Sequence, residues 1–477
     1  MPRRELSGVV PRLRGARTEP ILKIIRYQEE CPVPVAREAL AAWHFAPGAI
    51  RRLIPPWQPV RVLHNEPLAD GSITEMQIGA PLGLRWTARH EAVDRSAGFT
   101  DRSLRGPFAH WVHRHDFIAV SSDSSTLRDT VDFSPPASLG AITPRGMWTA
   151  PLRQMFAFRH HRTRSDLSWH ARFASGPRRV IAITGASGAV GSALSAFLTT
   201  AGHRVIRLVR EAPSRSDEIR WNPNGPWDAD ALSGIDAVVH LAGENIASGR
   251  WTTQRKERIR SSRVDGTRSL CQTIAALRTP PKALICASAI GWYGNRSSPA
   301  VSESASRGDG FLADVTAAWE DAASAAVGRG IRTVNLRIGI VLQARSGVLG
   351  KLLLPFRLGA GGRVGSGEQG MSWIHIDDLL RAVHWSIETP ALHGPVNAVA
   401  PAPVAQMEFA RTLARVLRRP CIAPLPAPIV RLVFGSMGEE LLLGGSWVKP
   451  AALSASGYPF LFSDLESALR FELGRMR

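Results

Sequence analysis

Gly185, Gly188 and Gly191 stand three residues apart, directly after the apolar run Val180–Ile183. A G-x-x-G-x-x-G turn lets the backbone bend sharply off a strand, approach a pyrophosphate closely and pack the following helix against that strand. Ser187, Ala189 and Val190 complete the turn, and the helix that begins there aims its unpaired N–H groups at the phosphates. A second strand follows and ends at Val209 and Arg210. Units that bind NAD usually carry an acid at that place to accept bonds from the adenine ribose; here the acid is missing and a cation is present. A guanidinium pairs in a forked geometry with a 2′-phosphate, so the predicted cofactor is NADP(H).

Other residues invite chemical readings. His113 and His115 fall on one face of a strand, with His110 opposite. Two histidines at i and i+2 can share a metal, but no third ligand stands at a recognisable spacing, so a hydrogen-bonded or exposed pair is expected and no metal site. In SWIHIDDL, His375, Asp377 and Asp378 resemble an acid–base set; the expected role of Asp377 or Asp378 is to cap the helix starting there. The basic, glycine-rich stretch from Phe356 to Gly370, with Arg357 and Arg363, is read as lining a substrate crevice able to receive an anionic group.

The elements that must position these groups follow from length and pattern. With 477 residues the chain has room for two or three domains. The net charge of +19 invites a nucleic-acid reading, but only five of the 59 basic residues are lysine, and these are scattered. Nucleic acid is therefore not an expected partner. Cys31, Cys271, Cys286 and Cys421 form no C-x-x-C pair, which fits a reduced cytoplasm. No apolar run reaches the ~18 residues of a membrane span.

Residues 1–19 read as a disordered basic lead. Residues 20–175 read as an α+β unit: a strand at Ile21–Tyr27, two short helices between Val35 and Pro55, antiparallel strands at Pro59–His64, Ile73–Ile78, Leu82–Ala88, Phe108–Val120 and Thr126–Phe133, and a helix from Met147 to Phe173. That order is the helix-grip fold. From 179 to about 400, buried strands alternate with helices, the third strand ending at His240-Leu-Ala-Gly; this predicts a Rossmann-type, doubly wound parallel sheet. Residues 401–477 read as a small helical C-terminal cap.

Two resemblances attach to these segments. FAHWVHRHDF (108–117) with LRDTVDFSPP (127–136) is similar to the SRPBCC, START-like and polyketide-cyclase-like, superfamily, which implies a cavity between sheet and helix for an apolar or amphipathic ligand. TGASGAVG (184–191), HLAGENI (240–246), RWTTQRKERIRSSRVDGTRSL (250–270), LRIGIVL (336–342), the motif at 351–379 and GPVNAVAP (394–401) resemble the atypical, extended short-chain dehydrogenase/reductases of the epimerase family. The match continues through 408–420 and 439–453 into that family's C-terminal domain of unknown function.

This second resemblance implies that the glycine turn, Val209, Arg210, Leu241, Ala242, Arg263 and Val341 surround NADP(H). It also exposes a departure. Members of the wider superfamily use a Tyr-x-x-x-Lys pair, whose positions here hold Leu312 and Thr316, and Arg263 replaces the usual asparagine. Ser288 and Tyr293 remain as the candidate catalytic groups near the expected reaction site. The function these readings imply is an NADP(H)-dependent oxidoreductase or nucleoside-sugar-epimerase-like enzyme acting on a small molecule. The alternative is a non-catalytic NADP(H)-sensing regulator; the resemblance links some plant and cyanobacterial members to cell or plastid division.

Overall fold

The computed structural model describes residues 24–79, 83–135, 144–223, 225, 227 and 229–476. The basic lead expected at 1–19 lies outside them. An antiparallel sheet comes first: β1 (Ile25–Val33), β2 (Val60–Asn65), β3 (Ile73–Ile78), β4 (Leu84–Asp94), β5 (Gly98–Arg105), β6 (His110–Ala119) and β7 (Ser125–Ser134) pair in the order β1-β7-β6-β5-β4-β3-β2. Helices α1 (Arg37–Phe45) and α2 (Ala49–Leu53) connect β1 to β2, and α3 (Arg145–Ala171) follows β7. Pro32 is tolerated within β1 because that strand is an edge, where a missing N–H costs no ladder bond. The β5 strand, GFTDRSLR, was not expected: its few apolar side chains give no run and no clean alternation.

The second sheet is parallel throughout. Its strands β8 (Val180–Thr184), β9 (Arg204–Val209), β10 (Glu218–Arg220), β11 (Ala237–His240), β12 (Ala283–Ala289), β14 (Arg332–Ile338) and β18 (Gly394–Ala398) lie in the order β10-β9-β8-β11-β12-β14-β18. Strand order reverses between β8 and β11, and open α/β sheets bind ligands in the crevice at such a switch point. The apolar runs of the central strands are buried on both faces: Ile181 and Ile183 pack with helix α4 (Ala189–Thr200), while Ala182 and Val238 pack on the side of α5 (Thr253–Ala276). The extended chain that runs on from Ile338 divides at Gly339. β15 (Ile340–Leu342) leaves the main sheet to pair with β17 (Trp373–His375).

Residues beyond 400 supply helices at Gln406–Leu417, Ala427–Phe434 and Leu465–Glu472. They are not purely a helical cap, since Ser446–Val448 pairs with Arg296–Val301 and Val404–Ala405 pairs with Gly370–Met371. Among the described residues, no helix is long and apolar enough to cross a membrane.

Helix α3 ties the parts together because it is apolar on two faces. Leu152, Phe156 and Leu167 pack with the antiparallel sheet, whereas Phe158 joins the core that contains Phe471, and Trp169 joins the core of the parallel sheet. Buried charges reinforce this junction. Arg52 of α2 makes a forked pair with Asp166 of α3 (2.8 and 2.7 Å) and reaches Asp377 at 3.0 Å, which Arg162 also meets at 2.8 Å. Gly48 completes the fit: a Cβ there would lie 2.1 Å from the Ala196 carbonyl oxygen on α4.

Candidate functional site

The glycine turn begins where β8 ends. Gly185 has φ +68°, the left-handed region that glycine enters without a Cβ penalty. A Cβ on Gly191 would stand 2.2 Å from the Gly185 carbonyl oxygen, so the third glycine is what lets α4 close onto the turn. Gly188, in extended conformation, is the residue before the first turn of α4, and no side chain caps that turn. The helix therefore presents free N–H groups from Ala189 and Val190 at the carboxyl edge of the sheet.

Register brings the other predicted binding residues to the same edge. Thr184 pairs with Leu208, so Val209 and Arg210 emerge beside the glycine turn on one side. It also pairs with His240, so Leu241 and Ala242 emerge on the other. Val190, Leu241 and Val341 are half-buried and pack against one core. Arg210 is exposed and, among the described residues, makes no ion pair. Ser187 is exposed in the turn itself.

A polar column beneath the turn fixes this geometry, and no local sequence signal announces it, since its members are far apart in the chain. The Thr184 hydroxyl accepts from the Leu241 and Ala242 N–H groups (3.1 and 3.2 Å) and lies 2.7 Å from His240 Nδ1. His240 Nε2 is 2.9 Å from the Thr267 hydroxyl, which accepts from Trp319 Nε1 at 2.8 Å. Burial holds His240 neutral, with its pKa pushed down to about 4.

Arg263 is the site's electrostatic anomaly. It projects from α5 toward the loop after β11, so that a Cβ on Gly243 would lie 3.3 Å from its Cζ. The guanidinium stacks over Trp319 at 5.1 Å and donates to the Ile259 carbonyl at 3.2 Å, but no carboxylate pairs with it among the described residues. Burial pushes its pKa down to about 10, with Glu244 opposing weakly from a distance. A largely buried cation lacking a counterion is costly unless an anion completes it.

The candidate catalytic groups are placed differently from the expectation. Tyr293 is fully buried and its hydroxyl donates to Asn397 Oδ1 at 2.7 Å while accepting from Arg337 at 3.0 Å. Burial pushes its pKa up despite Arg337, the wrong direction for proton exchange near neutrality. Ser288, also buried, donates to Glu320 at 2.6 Å, and Glu320 is held by both arms of Arg337 at 2.8 and 2.9 Å. Both hydroxyls thus belong to one hydrogen-bonded network that runs through Glu320, Arg337 and Asn397. Leu312 and Thr316 share one face of helix α6 (Phe311–Ala322) against Gly291, and the Thr316 hydroxyl is spent on the Leu312 carbonyl at 2.7 Å.

Three further expectations change. His375 caps its helix, its Nδ1 accepting from Asp377 N–H at 3.1 Å; Asp377 goes to Arg52 and Arg162, and Asp378 accepts from the Leu461 and Phe462 N–H groups at 2.7 and 3.0 Å. Groups far away in the chain outbid the local helix end. Arg357 and Arg363 line two different surface clefts, one with Arg345 and Trp57, the other with Arg411 and Arg415. The interior of the N-terminal unit is not simply apolar: histidines and aspartates occupy its centre.

Comparison with known proteins agrees with this geometry. The model of the NAD dependent epimerase/dehydratase family matches residues 181–399, and that of a domain of unknown function, DUF1731, matches 425–472. An epimerase family protein of Mycobacterium bovis is 42% identical over 297 residues, covering 62% of this chain and 98% of the relative. The human epimerase family protein SDR39U1, whose structure was solved with NADPH, superposes with a TM-score of 0.57 at 35% identity, covering 62% of this chain and 99% of that one. The structure of a nucleoside-diphosphate sugar epimerase from Corynebacterium glutamicum superposes with a TM-score of 0.78 at 33% identity over 94% of this chain and 90% of that chain. Coverage of that extent includes the antiparallel sheet, so its union with a nucleotide-binding sheet is shared between the two proteins.

Proposed function

The chain belongs to the NAD dependent epimerase/dehydratase family, and from that membership we propose that it is an NADP(H)-binding oxidoreductase or nucleoside-sugar-epimerase-like enzyme acting on a small molecule. One observation carries the proposal: Arg263, half-buried and, among the described residues, paired with no carboxylate, lies against the loop beside the glycine turn. An anionic dinucleotide supplies the charge that this cation lacks. The turn from Gly185 to Gly191, with Ser187, Gly188, Ala189 and Val190, receives the pyrophosphate. Val209 and Arg210 receive the adenine ribose and its 2′-phosphate, Leu241 and Ala242 pass beneath the cofactor, and Val341 borders the nicotinamide. The NADPH in the human relative supports the choice of cofactor.

NADP(H) supplies the hydride chemistry when bound; this chain's residues bind and orient it and exclude water. Ser288 remains at the reaction edge as a positioning group through Glu320. The three units are taken as 20–175, 179–400 and 401–477. The first is a helix-grip domain of the SRPBCC kind, a reading supported by its order of one strand, two helices, six antiparallel strands and a long helix.

A second reading is favoured by a specific observation: Leu312 and Thr316 offer no proton-transfer pair, and the Tyr293 hydroxyl is locked. On that reading the protein reports NADP(H) occupancy to a partner. Incubation with excess NADPH and a panel of carbonyls, enones and sugar nucleotides separates the two. Multiple turnovers with any of them support the enzyme; consumption that never exceeds one equivalent across the panel favours the sensor.

A further inference from the structure

The inner face of the N-terminal sheet carries two rows of facing residues. One row is His90, Asp101 and His113 on β4, β5 and β6; the next is Phe99, His115 and Asp129 on β5, β6 and β7. Cross-strand partners on one face stand within side-chain reach. His113 Nδ1 and His115 Nε2 accordingly converge on Asp101 Oδ2, at 3.9 and 3.4 Å. One ligand atom from each of the three residues lies within 4.8 Å of the others.

We propose that Asp101, His113 and His115, with His90 at the rim, form a binding site for a divalent transition-metal ion. The ring atoms facing away from Asp101 support it. His113 Nε2 and His115 Nδ1 lie 2.9 and 2.8 Å from one oxygen of Asp129, whose other oxygen is 2.7 Å from His160 Nε2. The Asp129 carboxylate, hydrogen-bonded to His113 and standing close behind His115, is the kind of outer support that orients metal-ligating histidines and raises their basicity. Phe99 stacks on the His115 ring at 4.3 Å and Phe156 abuts that of His113 at 5.4 Å, fixing both.

Two contacts in the cluster lack a proper hydrogen bond. Asp101 Oδ1 is buried with no hydrogen-bond partner although His90 Nε2 stands 3.1 Å away, and His115 Nδ1 is likewise unpartnered at its angle to Asp129. His90 Nδ1 lies 3.0 Å from the Ser72 carbonyl, so a neutral His90 donating there turns the lone pair of Nε2 toward a carboxylate oxygen. Two acceptors in that relation call for a cation between them. The side chains of Asp101 and His90 keep 25% and 11% of their exposure, which gives an ion a way in. Imidazole and carboxylate together suit zinc and its first-row neighbours. Tetrahedral bonds of ~2.0–2.1 Å put ligand atoms roughly 3.3 Å apart, a small contraction of the observed set.

The group His203, His384 and Glu388 also converges but fails the same reasoning. There Nδ1 of His203 accepts from Arg179 N–H and Nδ1 of His384 from Trp169 Nε1. The two Nε2 atoms stand 3.0 Å apart and are spent on each other, and Glu388 is already paired with Arg179.

The competing occupant is a proton. Burial disfavours a charged His115, but Asp129 and Asp101 outweigh it and push its pKa up to about 9. The test is titration of chelator-treated full-length protein with Zn²⁺ and with Co²⁺, with bound metal counted by mass spectrometry and the Co²⁺ absorption spectrum recorded. The proposal expects one equivalent of either ion, a tetrahedral-type Co²⁺ spectrum, and at least tenfold weaker binding in Asp101→Asn and His113→Gln. His203→Gln should bind like the parent. No stoichiometric uptake by the parent protein, whatever the variants do, means that a proton holds the cluster and overturns the proposal. Uptake that is abolished by His203→Gln, or unchanged in both Asp101→Asn and His113→Gln, overturns it equally.

Discussion

On the proposed reading, Arg263 and Arg210 do different work for the same ligand, and the difference is measurable. Arg263 is half-buried and, among the described residues, pairs with no carboxylate, so on that reading it costs the free protein stability that an anionic cofactor returns on binding. Arg263→Met should weaken NADPH binding by about tenfold or more, while leaving the melting temperature of the free protein unchanged or higher; a lower melting temperature with intact NADPH affinity would show a purely structural arginine. The glycine turn and the strand-end cation were legible in the sequence because each depends on residues adjacent in the chain. Thr184, His240 and Thr267 were not, because the column they form joins two strand ends and a helix through contacts that no spacing encodes. Asp377 was misjudged for a related reason: its neighbours in sequence make it a helix cap, and its neighbours in space, Arg52 and Arg162, take it for themselves.

At the scale of elements, α2, α3 and α4 form the junction that sets the N-terminal sheet against the second, parallel-sheet unit. Removing one partner of a buried ion pair leaves an uncompensated charge, so Arg52→Met should destabilise the protein by about 3–5 kcal/mol in denaturant unfolding. Gly48→Ala should act at the same junction by steric means, since its Cβ has no room against Ala196. The pH dependence has a defined sign. Burial alone would raise the Asp377 carboxyl, but Arg162 and Arg52 outweigh it and hold it well below the usual carboxylate range. Its contribution is therefore present above the unfolded value of ~3.9 and is lost as pH falls through the folded one. The stability difference between the parent and Asp377→Asn should be flat from pH 7 to about pH 5 and shrink below about pH 4; a difference that shrinks already between pH 7 and 6 would contradict this assignment. Element types were largely readable from pattern: α3 announced itself by its helical period, but not that its second face belongs to another core. β5 was hidden by its polar sequence, and Asp101 was hidden with it, which is why the two histidines of β6 lacked a visible third partner.

For the whole molecule, the sequence reads as a first unit at 20–175 followed by the units at 179–400 and 401–477. The cofactor motifs all lie in the second, and relatives of about the combined length of the last two exist without the first. Residues 179–477 alone should therefore retain NADPH binding. They should also be less stable and prone to association, because Phe462, Phe471 and Trp385 lose the cover of Phe158, His161 and Trp169. Thermal unfolding and light scattering of both forms check this; a truncated chain as stable and monomeric as the parent would show that α3 adds little.

The central claim is that this family member reads a 2′-phosphorylated dinucleotide at the edge formed by the glycine turn, Arg210 and Arg263. It is tested most directly by titrating the full-length protein with NADPH and with NADH, and repeating both with Arg210→Ala. Loss of one charge-assisted contact is worth about 1.5–3 kcal/mol, roughly ten- to a hundredfold in Kd. The parent is expected to bind NADPH more tightly than NADH, and the variant to lose that preference through weaker NADPH binding alone. Equal affinity for the two cofactors, unchanged by Arg210→Ala, would contradict it.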